Sequence, residues 1–321
     1  MSDTLNGSAA AESTGGPTPA VPPVVAPVAG ATMPAGPAVL RRGRGELVYY
    51  ALHNKTLVFG LGFEAVFVLA AIFGPVISPH TMTEYFANNQ APSAQHWLGT
   101  DNLGHDLFAE VVNGLRVSYL VGALGALYAA VVGMVLGFTA GWRGGILDEV
   151  LQLITNIVVM IPSLVLLIVI GAYLKTRGIL FEGAFIGLTT WPWVARAVRA
   201  QTFTLKSREF VDLARMSGRR GVWIVVRDIA PNMASYLFLV VILLFGSSML
   251  LAANFDFLGL GPTTGTSLGN IMNQSTLWSA LQLHYWWWFL PPGLLLTGMV
   301  AALLIANVGL DEVFNPKLRQ Q

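Results

Sequence analysis

Apolar residues in this chain come in long, nearly unbroken runs separated by short polar or Pro- and Gly-containing stretches. A helix rises about 1.5 Å per residue, so about 20 residues cross a hydrocarbon core about 30 Å thick. Six runs reach that length: 56–77, 117–141, 147–174, 183–203, 232–253 and 286–309. Pro162 interrupts the third, because proline removes a helical hydrogen bond and clashes with the preceding turn. The fourth is weaker and carries Arg196 and Arg199 near one end. The pattern predicts an all-α polytopic membrane protein of about six transmembrane helices. Residues 1–40 lack this pattern: they are rich in Ala, Pro, Gly, Ser and Thr. Such a segment cannot offset its ordering entropy and is expected to be a disordered tail. It lacks the basic-then-apolar order of a signal peptide.

Composition agrees. Hydrophobic residues make up 54% and charged residues 11% of the chain, too few charges to cover a soluble surface. The net charge of +1 points to neither nucleic acid nor an acidic partner. No cysteine is present, which excludes disulfides, thiolate metal sites and cysteine nucleophiles.

The distribution of charge sets an orientation. Arg41, Arg42, Arg44 and Lys55 precede the first span in a basic segment, 41–55. The loop 78–115 has no Lys or Arg and carries Glu84, Asp101, Asp106 and Glu110. Eight basic residues fall between Arg196 and Arg227, none in 254–285, and Lys317 and Arg319 lie in the tail 312–321. Positive charge marks the cytoplasmic side, so both termini are expected there, around a six-span domain 56–311. Lys175 and Arg177 are exceptions in a short outer loop. The aromatic run 285–288 reads as an outer-interface anchor.

The connection 206–231 is long and basic (SREFVDLARMSGRRGVWIVVRDIAP from 207). Phe210, Leu213 and Ala214 share helical spacing, as do Val211 and Arg215; Ser207 before Glu209 can start a helix and Gly218 can stop it. A second apolar stretch, 222–226, precedes Pro231. A short helix, a glycine turn and a second short helix are expected, held by packing because so short a helix is marginal alone.

This segment resembles the "EAA" coupling loop of ABC-importer permeases: Glu-Ala-Ala, three residues, Gly, about nine residues, then an Ile-x-Leu-Pro ending. Here Asp212-Leu213-Ala214 precede Gly218 at the same spacing, and the ending is Asp228-Ile229-Ala230-Pro231. Asp212, Leu213 and Ala230 depart from the motif's letters. HWLGTDNLGHDLF (96–108), GLRVS (114–118), FLGLG (257–261), SLGN (267–270) and NPKLR (315–319) are similar to blocks of the second, C-type permease subunit of dipeptide/oligopeptide/nickel importers. His105 stands where that family more often has Arg. The resemblance runs from about residue 41 to the end.

The resemblance implies a type I ABC-importer permease forming half of a path through the cell membrane for short peptides, or alternatively for nickel or another small solute. It implies a homologous second permease subunit, two cytoplasmic ATPase subunits holding ATP and Mg, and an extracytoplasmic substrate-binding protein. None of the four lysines lies in a phosphate-binding G-x-x-x-x-G-K-[ST] pattern, so no catalytic residue or cofactor is assigned to this chain. The ATPase-coupling residues implied are Glu209, Phe210, Asp212, Leu213, Ala214, Arg215, Met216, Gly218 and Pro231. Phe210, Leu213 and Met216 are the apolar contacts, with Glu209, Asp212, Arg215, Arg219 and Arg220 as rim charges. His96, Gly99, Thr100, Asp101, Gly104 and Asp106 are expected to meet partner proteins from the outer loop, and Asp256 and Phe257 to stand near a gate. His80, His96, Asp101, His105 and Asp106 are metal-ligand types, yet their spacing fits no compact site, and a structural loop is the expectation. Glu64, inside the first span, is expected to find an inward hydrogen bond or to be protonated. Gly122, Gly125, Gly133 and Gly137 are read as close-packing positions. An ion-gradient transporter would need paired carboxylates in broken spans. An intramembrane enzyme would need a catalytic constellation at membrane depth. Neither pattern is evident.

Overall fold

The computed structural model describes residues 44–314 except 175, 176 and 264. The expectations for the tail 1–40, for Arg41, Arg42 and Lys175, and for 315–319 with Lys317 and Arg319 lie outside the described residues. Those described form an all-helical structure whose only β pairing is an isolated bridge between Thr100 and Asp106.

A short helix, α1 (Arg44–His53), leads into α2 (Lys55–Ile77). Asn54 caps α2 by accepting from Leu57 N at 2.7 Å, and its amide donates to Glu312 at 2.6 Å. After the outer loop come α3 (Leu107–Arg143), α4 (Gly145–Met160) and α5 (Ser163–Tyr173). Next are α6 (Ile179–Lys206) and α7 (Glu209–Met216). Then α8 (Gly221–Ile224), a π-helical turn (Val225–Ile229) and α9 (Ala230–Asn232) run on into α10 (Ala234–Phe257). The chain closes with α11 (Leu268–Leu277) and α12 (Trp286–Phe314).

Four of these helices, α2, α3, α10 and α12, are long and apolar enough to cross a membrane. A fifth crossing is possible if α4 and α5, bent by 74° at Ile161–Pro162, count together. The break stands where the sequence placed it. The weaker fourth run becomes α6, a 28-residue helix that also carries Glu182, Arg196, Arg199 and Lys206. By composition alone α6 is not among the spanning helices.

Helix α3 packs most closely along α6. An added Cβ at Gly133 would stand 2.5 Å from Val194 Cβ, and one at Gly137 2.7 Å from Ala195 O. The two backbones approach as far as small residues allow, which is how helices associate where lipid offers no hydrophobic drive. Gly125 also faces α6, whereas Gly122 meets Met249 on α10. Glu64 turns inward, and Tyr119 donates its hydroxyl to Glu64 Oε1 at 2.7 Å. This is the inward bond expected for a carboxyl at membrane depth. In the aromatic run Trp286 is exposed and Trp288 is buried.

Candidate functional site

Three regions collect the chemistry. The first is the connection between α6 and α10. Helix α7 buries Val211 and Ala214 in a cluster with Ile224, Val225 and Ile229, and Phe210 packs at its margin. On the opposite edge Leu213 is 60% exposed and Met216 78% exposed, outside the buried cluster of the described residues. Glu209, Asp212 and Arg215 are exposed around them, and Arg215 Nη1 donates to Asp212 Oδ1 at 2.9 Å. Of the three apolar contacts read from the sequence, Leu213 and Met216 therefore face outward and Phe210 does not. Pro231 lies in α9, ahead of the long helix.

The turn after α7 is a full Schellman motif. Gly218 N donates to Arg215 O at 2.9 Å and Arg219 N to Ala214 O at 3.3 Å. That pair of bonds needs a left-handed residue at Gly218, whose φ is +73°. An added Cβ there would meet nothing within 4 Å, so the backbone conformation and not crowding demands glycine. Ser207 does not start α7 as expected. Its hydroxyl donates to Thr204 O at 3.1 Å and closes α6, while Arg208 precedes α7. Trp142, at the end of α3, braces the segment: Arg215 lies 5.2 Å and Lys206 5.8 Å from its ring, and Gly221 passes against it.

The second region is the loop between α2 and α3, read from the sequence as an outer loop. Asp106 caps α3, with Oδ1 accepting from Ala109 N at 3.0 Å, and its Oδ2 lies 2.8 Å from His96 Nδ1. Asp101 Oδ1 accepts from Leu103 N and His105 N, and Oδ2 lies 3.1 Å from His105 Nδ1. The Thr100 hydroxyl donates to Ala87 O and accepts from Gln90 N. Gly99 and Gly104 take positive φ with backbone oxygens directly over them. His96, Thr100, Asp101 and Asp106 are thus buried inside the loop rather than presented to a partner. The exposed large side chains there are Tyr85, Trp97 and Leu103. His80, His96 and Asp106 stand within metal-ligating distance of one another, as do Asp101, His105 and Glu110. Most of these atoms are already engaged: His80 lies 3.2 Å from Glu84 Oε2 and 3.0 Å from Gln95 O.

The third region is the carboxyl end of α10. Asp256 is buried, and its Oδ2 accepts from Ser267 Oγ at 2.6 Å. Phe257 is half-buried, and its carbonyl accepts from Asn273 at 2.6 Å. Sequence reading missed Glu182, a fully buried acid in the first turn of α6 that stands beside Asp256. Among the described residues the Glu182 oxygens and Asp256 Oδ1 find no partner beyond each other, and the two acids face one another as a hydrogen-bonded carboxyl pair. The signal was a lone carboxylate within an apolar run. Arg177, an exception to the charge pattern, is explained by geometry: its guanidinium donates to the carbonyls of Gly171, Leu174, Gly259 and Gly261 at 3.0–3.3 Å. It caps the carboxyl end of α5, where a cation is favoured, and ties it to the turn after α10.

Beside the α4–α5 break a groove of about 680 Å³ opens between α6, α10 and α12. Pro162, Trp193 and Leu250 supply apolar surface, and Ser163, Thr189, Thr190 and Ser247 supply hydroxyls. No charged side chain lines it. Nothing in the sequence spacing had marked it, because its walls come from five separate helices.

Comparison with known proteins places this architecture. Residues 133–320 match the family described as binding-protein-dependent transport system inner membrane component. Residues 49–92 match the N-terminal TM domain of oligopeptide transport permease C. The dipeptide transport system permease protein of Alkalihalophilus pseudofirmus is 32% identical over 83% of this chain and 87% of its own length. The oligopeptide transport system permease protein of Bacillus subtilis is 30% identical over 83% of this chain and 87% of its own. The dipeptide transport system permease protein of the same species is 29% identical, covering 83% of each chain. Matched over more than half its length by the family and over most of it by these relatives, this chain belongs to the binding-protein-dependent inner membrane components, the permease family of ABC transporters.

Proposed function

We propose that the chain is one of two permease subunits that together enclose a path for short peptides across the cytoplasmic membrane, driven by two separate ATPase subunits and supplied by an extracytoplasmic binding protein. The observation that carries this reading is the two-sided character of α7: one edge is anchored in the core of the described residues, and the other leaves Leu213 and Met216 exposed among the described residues. A motor that grips these two residues moves α7 and, through Val211 and Ala214, the packed helices behind it. The groove beside the α4–α5 break is half of the path. Its hydroxyls and apolar walls suit a peptide backbone with varied side chains, and it offers no imidazole or carboxylate to hold a metal ion. In this reading α6, fourth in chain order, completes the six spans, with Glu182 in its first turn and Arg196, Arg199 and Lys206 toward its other end, and both termini and the 206–231 connection lie in the cytoplasm. The outer loop meets partners through Tyr85, Trp97 and Leu103, on a scaffold set by the His96–Asp106 and Asp101–His105 pairs. Residues 1–40 are a cytoplasmic tail, and the tail read from the sequence as 312–321 starts only after Phe314, because α12 runs on to there and holds Glu312 against Asn54.

The decisive experiment is copurification of the ATPase with variants of α7. Leu213→Asp together with Met216→Asp should release the motor and abolish uptake while the permease still inserts. Gly218→Asp, which burdens the turn with about 1 kcal/mol of left-handed strain and a charge, should act in the same direction. Wild-type uptake with the ATPase still bound to the Leu213/Met216 double variant would refute the coupling role.

A further inference from the structure

A basic pocket and an apolar slot lie side by side on the segment that follows α7. Arg219, Arg220, Trp223 and Arg227 fall at positions i, i+1, i+4 and i+8, and together line a surface pocket of about 300 Å³. Arg219 is paired with Asp228, at 3.0 and 3.2 Å. Arg220 and Arg227 form no ion pair among the described residues, so the pocket carries an excess of positive charge. On the neighbouring face, Val222 and Val226 are 71% and 60% exposed. With Val225 and with Val135, Phe138, Thr139, Trp142 and Arg143 of α3 they line a second cavity, of about 350 Å³, whose walls are apolar except for the Thr139 hydroxyl and the Arg143 guanidinium at the end of α3. Helix α3 is 37 residues long, about 55 Å, more than a hydrocarbon core needs. Its apolar run, 117–141, is itself about 37 Å long and ends beside Trp142 and Arg143, so the last turn walling this slot reaches the headgroup region. The slot runs on into the exposed apolar side of α3 at Val131 and Val135.

We propose that this pair of cavities is a binding site for an anionic phospholipid, with the phosphate in the Arg219/Arg220/Arg227 pocket against Trp223 and an acyl chain in the slot between α3 and Val222/Val226. Basic pockets at the membrane face hold acidic headgroups, and indole rings favour that depth. The slot decides between possible occupants. A free phosphate ion, or an acidic edge of the ATPase, would satisfy the arginines but leave two exposed valines and the walls of α3 in water. Only a ligand charged at one end and apolar at the other fills both. Bound there, the lipid would fasten the segment that links α7 to α10. The site requires α3 to lie in a bilayer, and it gives the lipid Arg219 and Arg220, which the sequence suggested as rim charges of the ATPase contact.

The test is native mass spectrometry of the purified transport complex, extracted from bilayers of equal phosphatidylglycerol and phosphatidylcholine. The wild type should retain phosphatidylglycerol preferentially. Arg227→Gln should weaken that retention about fivefold, and Arg220→Gln with Arg227→Gln about 25-fold, at about 1 kcal/mol for each basic residue near the surface. Val226→Asp should abolish retention with every arginine in place, and excess inorganic phosphate should not displace the lipid. Co-elution of the ATPase with Arg227→Gln shows that the variant is folded. Unchanged phosphatidylglycerol retention in both arginine variants would overturn the proposal. So would displacement by inorganic phosphate, which marks a headgroup-only anion site, or loss of the ATPase from Arg227→Gln with lipid retention intact, which marks a motor contact. Failure of the Leu213/Met216 experiment would leave this assay unaffected.

Discussion

Asp106 uses its two carboxyl oxygens for two purposes. Oδ1 caps α3 and Oδ2 holds the buried His96 ring. Removing both functions costs about 1 kcal/mol for the lost cap and about 1–3 kcal/mol for a stranded buried polar group. Asp106→Ala should therefore lower the thermal unfolding temperature in detergent by several degrees. Asp106→Asn, which can still cap, should lower it less, and Leu103→Ala, at the exposed surface, should leave it unchanged. Equal losses in all three would show that the loop is not organised around this carboxylate. The same loop shows the limit of reading residues singly. The block HWLGTDNLGHDLF was legible as important, yet its polar residues were expected to contact partners. In the fold they satisfy one another, because Gly99 and Gly104 turn the backbone sharply enough to close the loop on itself. Which polar groups meet depends on that closure and cannot be read from spacing.

At the scale of elements, the contact between α3 and α6 holds the bundle's centre. Gly137→Leu forces a side chain into Ala195 O and Val198, where no rotamer avoids the opposing backbone. Overpacking of this kind costs about 1–3 kcal/mol, so the variant should unfold at lower temperature and accumulate poorly in the membrane. Gly62→Leu on α2 faces open space and should be neutral in the same thermal assay. Equal stability of the two variants would mean that the α3–α6 seam is not tight. Most elements were legible before the fold was known, since long apolar runs and a proline break report directly on hydrogen-bonding geometry in lipid. The extents were less so. Helix α3 begins at Leu107, ten residues before its apolar run, because Asp106 caps it there and its first turns pack inside the protein.

For the whole molecule, the question is how many times the chain crosses. Composition marks four helices, or five with the bent pair; the proposed arrangement adds α6. The absence of cysteine allows single labels without background. Ala91→Cys and Gln282→Cys should react with an impermeant maleimide added outside intact cells, and Ser217→Cys only after permeabilisation. Labelling of positions 91 and 217 from the same side would remove one crossing between them and with it the six-span arrangement. The groove beside Pro162 belongs to this scale too, since α4, α5, α6, α10 and α12 must all be placed before it exists.

Sequence alone determined that lipid is the solvent, where the chain turns, and that the 206–231 connection is a helix, a glycine stop and a second helix. Each of these follows from local chemistry: apolar run length, proline and glycine backbone preferences, and the placement of basic residues. Tertiary structure decided which face of α7 is left uncovered, that Arg177 caps a helix end, that Glu182 stands beside Asp256, and that arginines and valines on adjacent faces line two neighbouring cavities. Those facts depend on contacts between residues far apart in the chain, whose free energy comes from packing and desolvation and leaves no periodic trace along it.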